Sequence, residues 1–169
     1  LFVKDFSPPW EIRMKFLKRL LGICETPAPA CAAAWSVAGR TVTLDLARLP
    51  ELTPAGGAVR LEGRGLPQRL LVVRGPDGGL HAFGNRCSHM GRRIDPLPGT
   101  DRLECCSLSQ STYSYAGEPL SGAARGALKT FGVSLRGNEV TIVLPSGGVP
   151  DQRPDAPNRD LDRRSREEL

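Results

Sequence analysis

Cys87-Ser88-His89-Met90-Gly91 is followed, sixteen residues after His89, by the vicinal pair Cys105-Cys106 and then by Ser109-Gln110-Ser111-Thr112-Tyr113. Cys-x-His is a ligand pair that reaches one metal centre from one tight loop, and a second loop that opens on cysteine can close the site from the other side. A fold that uses both must bring two loops together. Short strands joined by turns do this well, and the composition agrees, with 19 Gly, 15 Pro and only 5% aromatics in 169 residues. Thiolate and imidazole serve either an iron–sulfur centre or zinc. The plainer alternative is that Cys87 and Cys106 are small buried apolar residues and His89 a loop histidine.

From Arg40 the chain alternates as half-buried strands do. Val42, Leu44 and Leu46 alternate with Thr41, Thr43 and Asp45. Short strands are expected over 57–62, 69–74, 80–83, 102–106 and 111–115, with Gly75-Pro76-Asp77-Gly78-Gly79 as a strong turn. Phe131, Val133 and Leu135, then Val140, Ile142 and Leu144, form a last pair around Gly137-Asn138. The expected fold class is all-β, a small antiparallel sandwich or partly open barrel over 40–144.

The flanks read differently. Ser7-Pro8-Pro9 is a helix start, and Trp10 to Leu21 is amphipathic, with Glu11, Lys15, Lys18 and Arg19 on one arc and Ile12, Met14, Phe16, Leu17, Leu20 and Leu21 on the other. Within an N-terminal extension, 1–25, this helix packs on protein or lies on a membrane surface. Residues 26–39 are Pro/Ala-rich and read as a linker, with Cys24 just before it and Cys31 within it expected as free thiols. Residues 145–169, with four prolines and mixed charge, cannot fold alone and are expected to order on a partner.

Net charge is +5, split as +3 over 1–23, +3 over 24–144 and −1 over 145–169. No basic stripe interleaved with aromatics tracks a nucleic-acid backbone, so nucleic acid is not an expected partner. Five cysteines, an odd number, do not space like a disulfide scaffold. No apolar run approaches the ~20 residues that cross a bilayer, and no h-region with a cleavage site is present. The expected location is the cytoplasm, peripheral to the inner face of a membrane through the N-terminal helix.

Residues 85–133 resemble the cluster-binding half of a Rieske [2Fe–2S] domain, and 40–84 with 134–144 resemble its base. In that family the first loop is Cys-x-His-x-Gly, matched by Cys87, His89 and Gly91. The second is Cys-Pro-x-His-Gly-Ser-x-Phe/Tyr. With Cys106 on its cysteine, Ser111 and Tyr113 match the serine and the aromatic. Leu120-Ser121-Gly122-Ala123-Ala124 resembles the loop that covers the cluster. The departures are Ser107 for proline, Ser109 for histidine and Gln110 for glycine. His81 stands where the family has a non-ligand strand residue.

The resemblance implies a Rieske-like β domain holding a [2Fe–2S] cluster with atypical ligation: Cys87, His89 and Cys106, with Cys105 as fourth donor and Ser109 as the alternative. Neighbours on a strand point to opposite faces, so Cys105 and Cys106 reach one site only if the chain bends between them. A third thiolate in place of imidazole makes the oxidised cluster −1 and lowers its potential from the Rieske range, about −150 to +300 mV, toward about −400 mV. The extra cysteine that ties the cluster loops in respiratory Rieske proteins is Arg92 here, so that bridge is not available. Arg86, Arg92 and Arg93 favour an acidic redox partner.

No nucleophile–base pair or phosphate loop supplies substrate chemistry, and the chain is too short for the separate iron domain of an oxygenase. The expectation is a module not catalytic alone: an electron-transfer subunit docked through its ends to a larger redox complex. The alternative is a Rieske-fold subunit without a cluster that serves assembly.

Overall fold

The computed structural model describes residues 17, 18, 20, 21 and 23–145. Leu17, Lys18, Leu20 and Leu21 are helical. The rest of the expected N-terminal helix and the tail from 146 onward lie outside the described residues.

The described residues build twelve short strands: β1 (Trp35–Ala38), β2 (Thr41–Asp45), β3 (Ala58–Leu61), β4 (Leu70–Arg74), β5 (Leu80–Gly84), β6 (Ile94–Pro96), β7 (Arg102–Cys105), β8 (Thr112–Ser114), β9 (Pro119–Ser121), β10 (Thr130–Phe131), β11 (Val133–Arg136) and β12 (Glu139–Val143). They form three four-stranded sheets, ordered β1-β2-β12-β11, β10-β5-β4-β3 and β6-β7-β8-β9. Every strand pair is antiparallel. The fold is all-β and antiparallel, as the sequence led us to expect.

The middle sheet explains the architecture. In β4 the run Leu70-Leu71-Val72-Val73 has no polar face, which suits a strand covered on both sides. Leu70 and Val72 join a core with Val42, Leu44, Val140 and Ile142 of the first sheet. Leu71 and Val73 join a second core with Phe83 and with Ile94, Leu103, Cys105 and Tyr113 of the third sheet. Burying each such Leu or Val contributes about 1.5–3 kcal/mol. The first core builds a base; the second fixes the loops that rise from β5, β7 and β9.

Several sequence expectations need correction. Trp35–Ala38, placed in the linker, is β1, paired with β2 from Trp35↔Leu44 to Ala38↔Thr41. Its indole is buried and lies under the Arg64 guanidinium, 4.7 Å from the ring centroid. The rest of that linker is also tied down. Arg60 N–H donates to the Pro27 carbonyl, at 2.9 Å, and Ala30 N–H to Glu51 Oε1, at 2.7 Å. Leu135, expected to alternate with Phe131 and Val133, is exposed on β11, the outer strand of its sheet. Ile94–Pro96 and Pro119–Ser121 are strands too short to show a period.

Candidate metal centre

Three loops meet at one end of the third sheet. The first, 85–93, is closed at its base by Asn85, whose buried Oδ1 accepts from Ile94 N–H at 2.8 Å. Within it Cys87 N–H donates to the Arg92 carbonyl at 2.7 Å and Gly91 N–H to the Cys87 carbonyl at 2.8 Å. Gly91 takes φ +67°, a conformation that glycine adopts without steric cost. Arg93 anchors the far end, donating from Nε and Nη2 to Glu62 at 2.6 and 2.8 Å.

The second loop, 106–111, is pinned by Cys105 N–H to the Ser111 carbonyl, at 2.8 Å, and turns through Gln110 at φ +44°. Gln110 stands where the family pattern has glycine, so the turn is kept although its preferred residue is lost. The third loop covers the other two. At Gly122, φ +81°, a Cβ would sit 2.6 Å from Ser111 Cα, so only glycine allows the approach. Arg125 and Gly126 N–H both donate to Ser88 Oγ, each at 3.1 Å.

A polarised chain of hydrogen bonds then runs to Cys87. Ser88 Oγ already accepts two amides, so its own hydrogen is directed to Tyr113 Oη, 3.1 Å away. Tyr113 Oη also accepts from Ser88 N–H at 3.2 Å, which leaves its hydrogen for Cys87 Sγ at 3.1 Å. Burial pushes the Cys87 thiol up, but the Tyr113 hydroxyl, the His89 and Met90 amides and the Cys105 thiol outweigh it, and the net shift is downward. Burial pushes Cys105 the other way, up to about 12. Tyr113 is likewise raised, by burial and then by Cys87. The triple therefore ionises first at Cys87, the atom a metal would take.

The second loop's donors part company. Cys105 is wholly buried in the second core and faces Cys87. Cys106 points to the opposite face, as strand alternation requires. There its sulfur is bonded to Cys24, with Cα atoms 5.5 Å apart and a sequence separation of 82. Cys24 is thus not the free thiol expected; Cys31 is. The reason is Asp95, whose carboxylate accepts from Glu25 N–H at 2.7 Å and Thr26 N–H at 3.1 Å and so lays the segment against β6. Ser109 faces the first loop, with Oγ 3.3 Å from His89 Nδ1 and 2.9 Å from Ser107 Oγ. His81 is on β5, its Nε2 3.6 Å from Asp77 Oδ1.

Two donor pairs result: Cys87 with Cys105, and His89 with Ser109. Beside them Ser111 Oγ is fully buried and meets no hydrogen-bond partner among the described residues. Ser88 and the Arg125 and Gly126 amides, which complete the site, were not singled out from the sequence. Their only prior signal was adjacency to the Cys-x-His loop and the covering loop.

The family model of the Rieske [2Fe-2S] domain matches residues 48–132, half of the chain. The chain belongs to the Rieske [2Fe–2S] domain family. Among solved structures, this Rieske chain is similar to the plasma membrane Rieske protein PetC3 from Synechocystis PCC 6803, at 22% identity over 50% of this chain and 86% of that one, TM-score 0.43. It is similar also to the ferredoxin of carbazole 1,9a-dioxygenase from Nocardioides aromaticivorans IC177, at 20% identity over 54% of this chain and 88% of that one, TM-score 0.47. A third likeness is to the quaternary ammonium Rieske monooxygenase CntA, at 16% identity over 68% of this chain and 33% of the other, TM-score 0.47. No curated protein sequence matches the Rieske chain.

Proposed function

We propose that this Rieske-domain protein is an electron-transfer module whose three loops hold a [2Fe–2S] cluster with atypical ligation. The observation that carries the reading is Ser111 Oγ, at the end of the second loop, a buried hydroxyl that meets no partner among the described residues. Buried hydroxyls are almost always paired, and an orphan calls for an acceptor that the chain does not supply. The residues present fit the group: two thiols and an imidazole stand on the loops with an orphaned donor beside them.

Cys87, His89 and Cys105 are proposed ligands. The fourth is Ser109, which already faces His89, since Cys106 lies on the opposite face in its bridge to Cys24. When bound, the group takes up and gives back one electron. The chain's own part is to hold Cys87 as thiolate through Tyr113 and Ser88, and to exclude water with the covering loop. Met90, Leu108 and Leu120 are exposed apolar side chains on or beside the three loops. We assign them to contact with a larger redox protein, since their burial on docking would be favourable.

The second reading is a cluster-free Rieske-fold subunit that serves assembly. Ser109 in the histidine position and the bridged sulfur of Cys106 favour it. The two readings part on one measurement, iron and acid-labile sulfide after anaerobic purification and reconstitution. Iron with sulfide and a visible charge-transfer spectrum supports electron transfer; colourless protein with neither supports the structural role.

A further inference from the structure

Cys24, Asp95 and Cys106 bring one ligand atom each to within 4.8 Å of one another, on the opposite side of β7 from Cys87. We propose that in the reduced chain these three residues bind a thiophilic divalent cation of the zinc class, and that the Cys24–Cys106 disulfide closes this site. The inference does not depend on whether the loops carry a [2Fe–2S] cluster.

Geometry supports it first. With Cα atoms 5.5 Å apart, the two sulfurs can separate by side-chain rotation after reduction. Two thiolates on one tetrahedral zinc, each at about 2.3 Å, stand about 3.8 Å apart, within that reach. Asp95 Oδ2 is already 3.4 Å from Cys106 Sγ. Its carboxylate is oriented by the Glu25 and Thr26 amides, the kind of outer support that fixes a metal ligand. Cys106 is held from behind by its amide, which donates to the Arg93 carbonyl at 2.9 Å. Three protein donors leave one position for water, the pattern of an exchangeable site rather than a closed structural one.

The chemistry balances as thiol–disulfide exchange. A dithiol reductant breaks the Cys24–Cys106 bond; two electrons and two protons pass to the sulfurs, and the reductant's own thiols become a disulfide. Metal binding then displaces the two thiol protons. Reoxidation by a low-molecular-weight disulfide expels the ion and reforms the bridge. With Cys106 engaged here, Ser109 is the fourth donor left beside His89.

The test is a titration of the full chain with Zn2+ and, for its spectrum, Co2+ alone, before and after anaerobic reduction. The reduced protein should bind one ion more than the bridged protein, with additional thiolate-to-cobalt charge-transfer absorption. Cys24→Ser should abolish that additional ion and Asp95→Asn should weaken its binding. Circular dichroism of each variant checks folding, and the comparison of reduced with bridged wild type needs no variant at all. Equal binding by the bridged protein, the additional ion retained in Cys24→Ser, or no additional ion in the reduced wild type would each overturn the proposal.

Discussion

Tyr113 Oη lies 3.1 Å from Cys87 Sγ and connects that thiol, through Ser88, to the covering loop. The hydroxyl is a donor that favours the charged sulfur, so its removal acts on ionisation before it acts on shape. In Tyr113→Phe, Cys87 should ionise at higher pH than in the wild type. The mid-point of its labelling by iodoacetamide under reducing conditions, followed by site-resolved mass spectrometry, should move upward. Stability should fall by about 1 kcal/mol as the Ser88 amide loses its acceptor. An unmoved mid-point would mean that the Cys87 thiol is set by its backbone amides alone.

Glu62 is held below the ordinary carboxyl range, first by its hydrogen bond to Arg93. A depressed folded value means stability that is present above the unfolded value, near 4.5, and lost as pH falls through the folded one. Glu62→Gln should therefore cost about 0.5–1 kcal/mol at neutral pH, since the pair is partly exposed. The gap between variant and wild type should close on acidification. Urea denaturation at pH 7 and again near pH 3 measures both.

Gly122 and Gly126 sit in the same covering loop but under opposite constraints. An alanine methyl at Gly122 would press on Ser111 Cα and require a left-handed backbone, whereas at Gly126 nothing lies within 4 Å. Gly122→Ala should lower stability by about 1–3 kcal/mol and loosen the loop. Gly126→Ala should leave thermal denaturation nearly unchanged.

Gln110 presents the reverse case. It is a side-chain-bearing residue at φ +44°. The left-handed penalty of about 1–2 kcal/mol exceeds the extra unfolded-state entropy of glycine, roughly 0.5–1 kcal/mol. Gln110→Gly should therefore stabilise the chain, read as a higher melting temperature.

These residues also show what could be read in advance. Thr41–Asp45 and Glu139–Val143 each have one face in the core, so period-two alternation found them. Trp35–Ala38 was missed because a Pro/Ala-rich approach hides a four-residue strand whose evidence is its pairing with β2. Cys105 and Cys106, expected to reach one site through a bend between them, instead diverge as strand neighbours do. The partner of Cys106 could not be read, because nothing local to Cys24 encodes a contact 82 residues away. It depends on Asp95 gripping two amides of the N-terminal segment. Likewise Ser88 looks like an ordinary loop serine until the covering loop is folded over it.

The central claim is that the loops around Cys87 and His89 hold a [2Fe–2S] cluster despite Ser109. The most direct test is anaerobic reconstitution of the reduced full chain, with iron and acid-labile sulfide assayed per chain beside its visible spectrum. Iron and sulfide should appear in equal amounts at one cluster per chain and be lost in Cys87→Ala. A colourless chain with neither iron nor sulfide after reconstitution would contradict the claim.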